Sequence, residues 1–67
     1  MSAQTRKAID VAFEVTPREA LALAQFLKRV GFREIRMNAE DEDEAYEMRN
    51  SLAIVRQALA DVGYAPR

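Results

Sequence analysis

Residues Ala8–Val15 read AIDVAFEV, and their pattern decides which fold the chain is expected to have. Ile9, Val11, Phe13 and Val15 share one parity, and Ala8, Asp10, Ala12 and Glu14 share the other. Alternation with β-branched and aromatic enrichment predicts a β-strand. A lone strand leaves its backbone donors and acceptors unpaired, and a second copy of the same strand is the simplest partner. Residues 32–38 offer an alternative partner within the chain, because Ile35 and Met37 also fit a strand.

Working outward, Thr16-Pro17-Arg18-Glu19 carries the start signals of a helix. Thr16 suits the N-cap, Pro17 the first helical position and Glu19 the return bond of a capping box. Ala20, Leu23, Phe26, Leu27 and Val30 recur at three- and four-residue spacing and form the expected buried stripe. Gly31 is expected to end the helix in the left-handed conformation, with Phe32 folding back onto the last turn. For Phe32–Ala39 a short helix is preferred over a strand, since it projects Arg33, Glu34 and Arg36 together into solvent.

The longest helix is predicted from about Glu42 to Val62. Ala45, Met48, Leu52, Val55, Leu59 and Val62 form a sustained seam of coiled-coil type. Gly63 is expected to end it, and Pro66 to prevent its continuation. The expected fold is therefore α+β and mainly helical. One N-terminal strand precedes two main helices with a short helix between them, in a strand-paired homodimer. Residues 1–7, with Arg6 and Lys7 at the base, are expected to be a flexible arm, and residues 8–67 a single small domain. Ile9, Val11, Phe13, Val15, Leu52, Val55 and Leu59 are the expected dimer interface.

The composition narrows the chemistry. The 67 residues include no cysteine and no histidine. That removes disulfides and the usual zinc sites. It also removes nucleophile pairs that need a histidine base. No catalytic, cofactor-binding or metal-binding residue is expected, and the protein is not expected to be an enzyme. A domain of about 60 residues buries only about 60% of its unfolded surface, which favours association with a partner. Nothing resembles a membrane span or a leader, so a cytoplasmic location is expected.

The formal net charge of −1 conceals an uneven distribution. Residues 1–37 sum to +3 and residues 38–67 to −4. Glu40, Asp41, Glu42, Asp43 and Glu44 run consecutively, with Glu47 close behind. Asp41 and Glu44 make an Asp-x-x-Glu cap, and acids in a first helical turn complement the helix dipole. That explains two or three acids, not six. Successive carboxylates on a helix diverge by about 100°, which argues against one shared cation. The six acids are therefore the expected partner-binding surface, opposed to a basic groove on another protein.

Lys28, Arg29, Arg33 and Arg36 form a basic cluster that could meet phosphates. Glu34 interrupts it and the chain is slightly acidic, so direct nucleic-acid binding is not expected. The order strand–helix–helix is similar to that of ribbon-helix-helix repressors. A dimeric regulator of that kind is the alternative function, although its base-reading parity would here present Asp10 and Glu14. Tyr46 and Tyr64 are candidate anchors at an interface.

Three segments carry a resemblance: Ala20–Phe32 (ALALAQFLKRVGF), Asp41–Tyr46 (DEDEAY) and Ala58–Arg67 (ALADVGYAPR). They resemble a family of short uncharacterised proteins encoded on bacteriophages and integrated mobile elements of proteobacteria. The likeness covers about Val15 to Arg67. It implies a setting, not a residue role: small accessory proteins of such elements often bind and disable host machinery, CRISPR effectors included. The expected function is thus a non-catalytic protein-binding module of a phage or mobile element, of anti-defence type.

Overall fold

Thr16 starts the first helix as its sequence predicts. In the computed structural model, which describes residues 8–65, the Thr16 hydroxyl accepts from the Glu19 amide at 3.1 Å. The Glu19 carboxylate accepts from the Thr16 amide at 2.9 Å. This reciprocal cap satisfies two of the donors that every helix start leaves open. Helix α1 then runs Pro17–Arg29, α2 Phe32–Met37 and α3 Glu42–Asp61.

Helix α3 is the spine, and both α1 and α2 pack against it. Ala20, Ala24 and Leu27 of α1 meet Leu59 of α3 in the buried cluster. Leu23, Leu52, Val55 and Tyr64 pack around it, half-buried. Ile35 of α2 and Ala45 of α3 are also buried. The seam predicted on α3 is thus the face that α1 and α2 cover, except that Val62 is exposed. On α1 the buried stripe is centred on the alanines, and Phe26 lies outside it, 57% exposed. Small side chains at Ala20 and Ala24 leave room for the facing helix, whereas a phenylalanine there would hold it away.

The expected N-terminal strand is corrected. Among the described residues there is no strand, and residues 8–16 belong to no regular element. A strand exists only as part of a ladder, and the other candidate run, residues 32–38, folds into α2. The alternation of Ala8–Val15 therefore has nothing to pair with, and Ile9, Val11, Phe13 and Val15 stay exposed. The α+β assignment and the strand-paired homodimer fall with it: the described fold is three helices. The ribbon-helix-helix comparison loses its ribbon for the same reason. The expected arm at residues 1–7 and the helix-stopping Pro66 lie outside the described residues.

The two glycines play different parts. Gly31 has φ −99° and ψ 165°, an ordinary extended backbone, and serves as the N-cap residue of α2. Its amide donates to the Glu34 carboxylate at 3.0 Å. The left-handed end predicted for α1 is therefore corrected, since Val30 already turns the chain extended (φ −65°, ψ 128°). Phe32 accordingly begins α2 rather than folding back on α1. At the end of α3 the prediction holds: Gly63 has φ 99°. The Gly63 amide donates to the Ala60 carbonyl at 3.0 Å, and the Tyr64 amide to the Leu59 carbonyl at 2.8 Å. This is the paired-bond pattern of a Schellman motif, and it folds Tyr64 back onto the core beside Leu59.

Candidate functional site

The acidic turn between α2 and α3 divides into two groups of carboxylates. Asp41 is the N-cap of α3, with φ −149° and ψ −179°, and its Oδ1 accepts from the Glu44 amide at 2.8 Å. The Glu44 carboxylate reaches past Asp41 and accepts from the Glu40 amide at 2.6 Å. These two side chains therefore hold the turn, and Glu44 is half-buried there. The side chains of Glu40, Glu42, Asp43 and Glu47 are exposed. Glu42 and Asp43 complement the positive helix start. Asp43 and Glu47, four residues apart on one face, repel each other. No group of three or more carboxylates among the described residues is arranged to hold a metal ion.

Beside the acidic turn an aromatic pair ties α2 to α3. The Phe32 and Tyr46 rings lie 5.1 Å apart, tilted by 33°. The Arg49 guanidinium stands over both, 5.0 Å from the Tyr46 centroid and 5.9 Å from that of Phe32. Tyr46, expected as a free anchor, is thus partly engaged within the chain, though it remains 42% exposed. The role of Phe32 was not legible, because it depends on where α2 starts. The Tyr46–Arg49 spacing of three was a usable signal on a helix.

The basic cluster read from the sequence does not assemble as one site. Lys28 and Arg29 end α1, and Arg33 and Arg36 sit on α2, all exposed. Arg36 turns back to donate to the Ala39 carbonyl at 3.3 Å. Lys28 and Arg29 face different hollows. Lys28 shares one with Arg49 and Arg56, whereas Arg29 shares another with Phe26, Glu34 and Met48. The grouping of Lys28, Arg49 and Arg56 was missed. The spacing of seven between Arg49 and Arg56, which puts them on one helix face, was its only trace.

The residues expected at a dimer interface are also distributed unevenly. Leu59 belongs to the core of its own chain, with Leu52 and Val55 half-buried against that core. Val11, Phe13 and Val15 line a hollow with Ala20, Ala58 and Val62, at the end of the molecule where α1 starts and α3 ends. Leu21 of α1 is 48% exposed. No helix among the described residues is long and apolar enough to cross a membrane.

A family model described as "Family of unknown function (DUF7706)" matches residues 1–67. No curated protein and no solved structure matches the chain.

Proposed function

The chain belongs to DUF7706 over its whole length, so its role must be read from its own surface, and we propose that it is a non-catalytic protein-binding module. One observation carries this reading. Among the described residues the buried core holds six, three of them alanines, while ten large hydrophobic side chains are exposed. Val11, Phe13, Phe26, Met37 and Ile54 are all more than half exposed. Four of the ten, Val11, Phe13, Val15 and Val62, line one hollow where α1 starts and α3 ends, and an apolar patch of that kind marks a surface that a partner covers.

The acidic turn supplies the steering charge. Glu40, Glu42, Asp43 and Glu47 are exposed and make no capping bond to the α3 start, which leaves them available to a basic groove on another protein. The finer reading is an anti-defence inhibitor acting on a host protein, and its support is the resemblance to phage and mobile-element proteins.

The test follows from the division of the carboxylates. The combined variant Glu40→Gln, Glu42→Gln, Asp43→Asn and Glu47→Gln removes four charges and keeps both capping residues. Affinity capture from a proteobacterial lysate should retain a partner with a basic surface on the parent protein and release it from the variant. Equal capture by both would overturn the role of the acidic surface.

A further inference from the structure

The second surface of interest is a cleft of about 620 Å³ between the end of α1, α2 and the middle of α3. Val30 and Leu52, both half-buried, and Ala53, which is exposed, give its wall apolar surface, and Lys28, Arg49 and Arg56 bring three cationic side chains. No carboxylate lines it among the described residues. Six of the chain's eleven acids lie in and just before the first two turns of α3, whereas the charged side chains that line the cleft are all cations. Arg49 is braced by the Tyr46 and Phe32 rings, so less freedom is lost when it binds.

We infer that this cleft is a docking site for an acidic peptide segment of a partner protein, one that alternates carboxylates with bulky apolar residues. The apolar wall takes the hydrophobic side chains, and the cations take the carboxylates, the arginines with bidentate geometry. A nucleic-acid backbone satisfies only half of this surface. Its phosphates would meet the cations, but it has no apolar side chain for the wall. The site lies apart from the acidic turn, so either can fail without the other.

The probe is a displayed library of random twelve-residue peptides, selected on the full chain. Enriched sequences should combine Asp or Glu with Leu, Phe or Trp. A synthetic peptide from the selection should bind at least tenfold more weakly to the Lys28→Glu/Arg56→Glu variant, which leaves the Arg49 brace intact, and only a few-fold more weakly to Arg56→Lys, which keeps the charge and loses the fork. Titration with a 20-base-pair DNA duplex and with polyglutamate provides the competing arms. Several outcomes would overturn the proposal: peptides without acidic bias, enrichment unaffected by the charge reversal, or no enrichment at all. Tighter binding of the duplex, or equal binding of polyglutamate, would do the same. So would a dimer by light scattering that the charge reversal dissociates, because the occupant would then be a second copy.

Discussion

The guanidinium of Arg49 stands 5.0 Å from the ring centroid of Tyr46, one helical turn earlier on α3. The same ring lies 5.1 Å from Phe32, so one cation and two rings join the start of α2 to the spine helix. Arg49 of this small cluster also lines the basic cleft, and Tyr46 follows the acidic turn directly in the chain.

Removing the cation should loosen that junction modestly. Arg49→Ala is expected to lower stability by about 0.5–1 kcal/mol, the range for exposed cation–ring contacts. Tyr46→Leu should have a comparable effect. The double variant should lose less than the sum of the two, which urea unfolding of all four proteins would measure.

The cap of α1 is open to a direct check. Thr16→Ala removes the acceptor for the Glu19 amide and should cost about 1 kcal/mol, whereas Thr16→Ser should be near neutral. The comparison reads as a shift in the urea midpoint at unchanged slope.

At the start of α3, capping and surface charge separate. Asp41→Ala should destabilise by about 1 kcal/mol and Asp41→Asn by much less, because asparagine caps as well as aspartate. Asp43→Asn should be neutral or slightly stabilising by a few tenths of a kcal/mol, since it relieves repulsion with Glu47. Thermal unfolding followed by circular dichroism would show the ordering.

The two glycines should respond unequally to alanine. Gly63→Ala places a side chain at φ 99° with open space around the added carbon, so its penalty of about 1 kcal/mol or more is purely backbone strain. Gly31→Ala keeps an ordinary φ. Its added carbon would fall 2.9 Å from Glu34 Oε1, the end of a flexible side chain that can swing aside. A larger loss of melting temperature for Gly63→Ala than for Gly31→Ala is expected.

The core tolerates little change in either direction. Ala24 is fully buried where α1 meets α3, so Ala24→Leu should cost about 1–3 kcal/mol by forcing the helices apart. Leu59→Ala should cost about 2–5 kcal/mol by opening a cavity beneath Tyr64. With so few buried residues, loss of the folded helical signal at room temperature is the expected result for Leu59→Ala.

Much of this was legible from local pattern. The Thr16–Glu19 box, the short α2, the Asp41 cap, the start of α3 and the glycine end at Gly63 all stand where neighbouring residues place them. They depend on contacts within four or five positions, and such contacts are written in the order of the chain. The strand at Ala8–Val15 failed because its pattern was right and its partner was missing. Alternation describes which side chains could share a face, and only a second strand makes that face real.

By itself the sequence determined the helices, their caps and the division of charge, because each follows from spacing along one stretch of backbone. The tertiary structure decided what those charges and faces are for. Packing turned Ala20 and Ala24 into the contact in place of Phe26. It also split Lys28 from Arg29 and gathered Lys28, Arg49 and Arg56 around one cleft. Residues 21 and 28 positions apart become neighbours only when α1 and α3 meet, and that meeting is set by buried shape, which no local spacing records.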